Sequence, residues 1–215
     1  MRRTIMTTPD GTARAEPAAT GRARKLLYFC YGADMLEGRI RSRCASPKVV
    51  AVARLADHRL GFYGYSPVWD GGLETVEPAP GHEVWGVVYA LGFTDADSLD
   101  AWQGVRLNGT GAYFHYPVEV ADAQGTAYAV LVYKKDLLGE PTLPSRPYLD
   151  VIVAAARQRE LPPQAIESLQ ALPARPADYP VPRYGLARRE GVLPGETCAD
   201  CGSLVPPRAA VPARA

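Results

Sequence analysis

The chain has no long hydrophobic run. None of its 215 residues falls in a stretch approaching the roughly 18 consecutive apolar residues that cross a membrane, so no membrane span is expected. It has no excess of either charge. Twenty-four Lys and Arg stand against 23 Asp and Glu, a formal net charge of +1, and without a long basic run neither nucleic acid nor an anionic membrane is an expected partner. Histidine is scarce and scattered, at His58, His82 and His115, and the four cysteines, Cys30, Cys44, Cys198 and Cys201, do not have the spacing of a disulfide framework. Cys198 and Cys201 have the separation of half a zinc site with no second half nearby, so neither metal nor cofactor is expected. Cys30 lies in an apolar run and reads as a small packing residue. The first two dozen residues carry arginines, Asp10, Glu16 and prolines but no sustained apolar core, which makes neither a secretory signal nor an anchor. A soluble, cytoplasmic protein is the expectation.

Residues 1–24 and 173–215 are rich in Pro, Arg and Ala and show no apolar period, so they read as a flexible arm and a loosely attached tail around one domain of residues 25–172. No internal repeat is found. Within the domain a short helix over 35–43 carries Arg39, Arg41 and Arg43, read as a solvated face. Residues 49–63 form two strand segments with a corner at Ala56-Asp57-His58, followed by a turn-rich loop over 64–72. Next come a short strand over 73–76, a turn at 78–81, and a strong strand over 84–91. A helix opens at Thr94 and closes at Gly104. A hairpin over 113–133 contains Pro117, which marks an edge or a bulge. Tyr148, Leu149, Ile152, Val153 and Ala156 recur at helical spacing, and Pro162-Pro163 separates this helix from another over 164–172. Strands at even spacing with helices gathered late give an α+β fold, a mixed, partly closed β-barrel with flanking helices.

The stretch Leu26-Leu-Tyr-Phe-Cys-Tyr-Gly-Ala-Asp-Met35 changes character in mid-run. Six apolar residues end at Gly32, a pattern of buried strand, tight turn and helix. Backbone amides at such a turn, with a helix behind them, suit a carboxylate or an oxyanion.

Tyr31-Gly32-Ala33-Asp34-Met35 resembles the Tyr-Gly-Ser-Asn-Leu or -Met opening of the gamma-glutamylcyclotransferase family. Other pieces follow in that family's order: Val52-Ala-Arg-Leu55, Gly71-Gly-Leu73, Glu83-Val-Trp-Gly-Val-Val-Tyr89, and Leu99-Asp-Ala-Trp-Gln-Gly-Val105 against Leu-Asp, two variable residues, Glu-Gly-Val. The resemblance covers residues 25–172. It implies the barrel fold, a pocket at the barrel's mouth and a small γ-glutamyl substrate; the oligomeric state is not readable from the sequence, with a homodimer one option, and no cofactor is expected. It also implies a reaction in which the substrate's α-amine attacks its own γ-carbonyl, 5-oxoproline forms and an amine leaves.

Such a reaction needs folding of the substrate, donors for an oxyanion, and a proton carrier between the ammonium and the leaving nitrogen. By resemblance Tyr31, Gly32, Ala33, Asp34, Met35, Tyr113 and Tyr133 form the binding site, and the proton carrier falls at Gln103. Three positions depart from the family: Ala33 for serine, Asp34 for asparagine and Gln103 for glutamate. A neutral amide does not carry a proton, so Gln103→Glu is expected to restore the shuttle. Glu74, where relatives have a small residue, and Asp34 are the replacement candidates for catalysis. Three functions stay open: a cyclotransferase, a cyclase, lyase or amide-forming enzyme of secondary metabolism on the same scaffold, and a non-catalytic binding module.

Overall fold

The computed structural model describes residues 25–183 apart from 107, 109 and 137. The N-terminal arm and the Cys198 and Cys201 pair lie outside the described residues. Five strands, β1 (Leu26–Cys30), β2 (Lys48–Ser66), β3 (Gly71–Leu91), β4 (Phe114–Asp122) and β5 (Ala127–Lys134), close into a barrel in the order β1-β3-β2-β4-β5. The parallel pairing Tyr28↔Leu131 closes it, whereas β2 and β4 meet only at Ala53↔Asp122 and Arg54↔Ala121. Helices α1 (Glu37–Arg43), α2 (Phe93–Gln103), α3 (Arg146–Gln158) and α4 (Pro163–Gln170) flank it. The mixed barrel with flanking helices is as expected, and it is closed.

The unbroken apolar run of β1 follows from burial on both faces. Phe29 and Tyr31 join Ala53, Leu55, Val76, Val88, Val120 and Val132 in a cluster drawn from all five strands, the barrel interior. Tyr28 and Cys30 face the other way and pack with Met35, Ile40, Leu149 and Ile152 under the helices. Alternation along the strand sends successive side chains into two cores.

Several elements differ from expectation, each for a local reason. The corner at Asp57 is a bulge within one long strand: the register slips between Ala56 and His58, and Asp57 has φ 55. The turn expected at 78–81 is its partner bulge. β3 runs through it, from His58↔Pro78 to Ala56↔Glu83, and the Gly81 N–H donates to Asp57 Oδ1 at 2.9 Å. β2 also continues to Ser66, which leaves only 67–70 as the connecting turn. The helix expected from residue 35 begins at Glu37, because Leu36 is extended (φ −63, ψ 125) and separates α1 from a single 3-10 turn, Ala33–Met35. α2 starts at Phe93 without a side-chain cap, and Asp95 instead accepts from the N–H groups of Ala45 (2.7 Å) and Ser46 (3.0 Å). Pro117 pairs with Leu131, and β4 makes its β2 pairs only at residues 121 and 122, so the missing N–H falls on an open edge.

The chain beyond Pro173 is not loose as far as Arg183. Arg175 Nη2 reaches Asp70 Oδ1 at 2.6 Å, the Asp178 N–H donates to Asp70 Oδ2 at 2.6 Å, and the Arg183 N–H donates to the Val68 carbonyl at 3.0 Å. Absent apolar period, sequence had no signal for a segment held by polar bonds. The hydrogen bond from the Tyr65 hydroxyl leads a set of donors that, against burial, keeps the Asp70 carboxyl below its ordinary value of 3.8. A carboxyl with a depressed folded value stabilises the fold at neutral pH, and the contribution is lost as acid titrates the folded carboxyl. Asp70→Asn is therefore expected to lower the melting temperature at neutral pH by about 4 °C or more, with the gap to the parent narrowing in acid; thermal melts across pH check this.

Candidate functional site

β1 delivers Tyr31 and Gly32 to the barrel's end, β3 brings Glu74, the last turn of α2 brings Gln103, and the hairpin brings Tyr113 and Tyr133. Together with Asp34 these line one small cavity, completed by Tyr28 and Cys30. α2 stops there because Gly104 adopts φ 65, the left-handed conformation that ends helices. Ala33 and Met35 do not line the cavity. Their side chains lie in the core, and the Met35 carbonyl accepts from Tyr89 and Arg159.

The cavity is about 20 Å³, room for one water, because the Glu74 side chain fills it. A Cβ placed on Gly32 would stand 1.8 Å from Glu74 Oε1. A side chain here would thus meet the movable end of Glu74 rather than fixed backbone, and the φ of −117 is one that any residue adopts. The hydrogen bonds of the turn begin with the Met35 N–H to the Gly32 carbonyl at 3.1 Å, and among the described residues the preceding amides of Ala33 and Asp34 donate to no other element, as at the start of any helical turn. Gly32→Ala is expected to push Glu74 out and weaken ligand binding at least about tenfold in a folded protein; calorimetric titration with a γ-glutamyl peptide checks this, and unchanged affinity would remove the turn from the site.

The two acids of the cavity differ in what they touch. Asp34, buried, has both oxygens engaged: Oδ1 accepts from Arg39 Nε at 3.3 Å, and Oδ2 accepts from Arg43 Nη1 and from Gln103 Nε2 at 3.2 Å. Arg39 and Arg43, four residues apart on one face of α1, are consequently not a solvated face; only Arg41 of the three is exposed. Among the described residues Glu74 has one oxygen engaged. Oε2 accepts from the Tyr148 hydroxyl, while Oε1 lies over Gly32. Tyr113 holds the Glu74 carbonyl at 2.8 Å. Burial first, then the charge of Glu74, raises the Tyr113 and Tyr148 phenols well above their ordinary value, so both remain donors.

Tyr31 and Tyr133 offer the cavity their rings rather than their hydroxyls. The Tyr31 hydroxyl donates to the Tyr133 carbonyl, and that of Tyr133 to Asp100 Oδ1 at 2.5 Å. Burial pushes the Cys30 thiol up to about 12, which agrees with a packing role. A larger cavity of about 670 Å³ between β2, β3, the segment 141–144 and α4 shares only Tyr31 with the small one; Asp34, Glu74 and Gly32 of the turn are in the small one. No group of His, Cys, Asp and Glu among the described residues is arranged to hold a metal.

Tyr148 was not nominated as a site residue. Its helical spacing with Leu149 and Ile152 marks it as core, and its ring does stack on Trp69 at 4.4 Å with Arg39 5.0 Å from the indole centroid. Only its hydroxyl belongs to the site. Lys135, outside the lining of the cavity, holds its ammonium over the ring of Tyr113, which does line it.

A five-stranded mixed barrel with a Tyr-Gly turn, a glycine-stopped helix and a ring of tyrosines around a carboxylate defines a class, and relatives place the chain within it. The AIG2-like family profile matches residues 83–169. Gamma-glutamylcyclotransferase from Homo sapiens is 36% identical over 157 residues, 71% of this chain and 80% of the relative, and that from Mus musculus is 34% identical over the same shares. Among solved structures, a gamma-glutamyl cyclotransferase superposes with TM-score 0.69 at 31% identity, covering 77% of this chain and 99% of the other. The chain belongs to the gamma-glutamylcyclotransferase family.

Proposed function

We propose that this protein is a cyclotransferase that releases 5-oxoproline and an amine from a γ-glutamyl amide, with Glu74 as the proton carrier. The observation that carries the proposal is the Glu74 carboxylate, held through Oε2 by Tyr148 with Oε1 free beside Gly32, in a cavity where Gln103 cannot carry a proton and both oxygens of Asp34 are engaged.

On binding, the substrate takes the space now filled by Glu74. The open amides of Ala33 and Asp34 receive its α-carboxylate, and the displaced Glu74 carboxylate stays within reach of the α-ammonium. Oε1 accepts one ammonium proton. The freed amine attacks the γ-carbonyl carbon, closing a five-membered ring and placing charge on the carbonyl oxygen. Glu74 returns the proton to the leaving nitrogen, the C–N bond breaks, the carbonyl reforms, and the ring nitrogen gives up its second proton to the departing amine, leaving a neutral lactam and an ammonium. No water is consumed, so by bond balance the enzyme is a cyclotransferase of lyase type. Tyr148, kept protonated, orients the carboxylate and lowers the penalty of its burial.

We infer further a cytoplasmic enzyme acting as a homodimer on a small molecule, without nucleic acid or membrane, in keeping with the balanced charge. No helix of the described residues is long and apolar enough to cross a membrane. The exchanges at positions 33, 34, 74 and 103 support a substrate of secondary metabolism. Incubation with γ-glutamyl-alanine tests the activity: equimolar 5-oxoproline and alanine are expected, whereas another product from a metabolite pool, or binding without turnover, would replace it with a different enzyme or a binding module.

A further inference from the structure

We propose that Lys135 selects the leaving group, its ammonium holding an anionic group, a carboxylate, on the amine half of the substrate; this rests on the activity proposed above.

Lys135 follows β5 by one residue and stands two positions after Tyr133, whose ring lines the cavity. Alternation along an extended chain puts the two side chains on the same side. Its backbone N–H donates to Thr75 Oγ1 at 2.9 Å, which fixes it against the residue next to Glu74. Its Nζ stands 4.5 Å from the centroid of the Tyr113 ring, and Tyr113 both lines the cavity and holds the Glu74 carbonyl.

Here a cation is half-buried with an aromatic face as its neighbour. Among the described residues Lys135 forms no salt bridge. Burial pushes its ammonium below the ordinary lysine value, and the charge of Glu74 works against that without a contact. An unpaired charge in such a place is expensive unless something completes it. The other cations of the site, Arg39 and Arg43, are engaged with Asp34. With the α-carboxylate assigned to the open amides of the Gly32 turn, the group left for Lys135 is one on the departing half. A γ-glutamyl amino acid carries a carboxylate there, and a γ-glutamyl alkylamine carries none.

The test compares γ-glutamyl-alanine with γ-glutamyl-ethylamide, whose leaving amine is alanine without its carboxylate. 5-Oxoproline release is measured for the full-length protein and for Lys135→Met, Lys135→Gln and Lys135→Arg, with melting curves to confirm that each is folded. A charge-assisted contact of this kind corresponds to a preference of about thirtyfold in kcat/KM for γ-glutamyl-alanine in the parent protein. Lys135→Met and Lys135→Gln are expected to erase that preference by lowering turnover of γ-glutamyl-alanine alone, with γ-glutamyl-ethylamide changed by about twofold at most. Lys135→Arg is expected to retain it. Equal losses on both substrates would overturn the assignment, because they would mean that Lys135 supports the fold or binds the α-carboxylate, while the cyclotransferase activity would stand. Absence of 5-oxoproline from either substrate with every form would overturn the activity and this inference together.

Discussion

Glu74→Gln is expected to lower 5-oxoproline release from γ-glutamyl-alanine by about 10² to 10⁴-fold, the usual effect of removing a positioned proton carrier. The change keeps shape and length, and the glutamine oxygen can still accept from Tyr148, so the variant should fold and bind substrate. Asp34→Asn should behave differently. Its oxygens are engaged by Arg39, Arg43 and Gln103, and its loss perturbs stability before it perturbs proton transfer. Melting curves and substrate titrations beside the rate assay separate the two. A Glu74→Gln variant as fast as the parent would exclude Glu74 as the carrier.

The second large effect concerns positions 34 and 103 taken together. The pattern that Tyr31–Met35 and Leu99–Val105 resemble has an asparagine at the turn and a glutamate at the helix end; here the residues are Asp34 and Gln103, joined by a hydrogen bond of 3.2 Å. The pair has exchanged acid and amide across that bond, so one donor still meets one acceptor and one negative charge remains. Gln103→Glu alone is therefore expected to do more than supply a base. It removes the donor and sets two carboxylates against each other, and a loss of about 1–3 kcal/mol in stability is expected. Asp34→Asn with Gln103→Glu rebuilds the pair with the acid at the helix end. In a Glu74→Gln background this double change is expected to raise 5-oxoproline release at least about tenfold, a modest part of what general-base catalysis supplies. Single and double variants assayed as a cycle give the coupling directly, and additive effects would show that the two positions act independently.

Much of the scaffold was legible because its signals are local. The apolar run ending at Gly32, the helix stopped at Gly104 and the hairpin around 122–126 each depend on a few neighbouring residues and one backbone conformation. What was not legible depends on contacts far apart in sequence. The Gln103 to Asp34 bond spans 69 residues, so two positions that read as separate in the sequence have side chains that meet. Glu74 meets the hydroxyl of Tyr148 across 74 residues, and nothing in helical spacing distinguishes a wholly apolar core tyrosine from one whose hydroxyl holds a cavity carboxylate. Arg39 and Arg43 looked like an outer face because their partner lies in the preceding turn. The paired bulges at Asp57 and Gly81 read as a corner and a turn for a similar reason: only the second strand shows that each completes the other. Residues 173–183 lacked an apolar pattern because Asp70, rather than a hydrophobic face, holds them.

The central claim, that the substrate's own amine rather than water breaks the amide with Glu74 carrying the proton, is tested most directly by the product formed in ¹⁸O-labelled water. Intramolecular attack retains the original γ-carbonyl oxygen, so the parent protein should release unlabelled 5-oxoproline and alanine in equal amounts. Glutamate carrying ¹⁸O in its side-chain carboxylate would show hydrolysis instead and contradict the account.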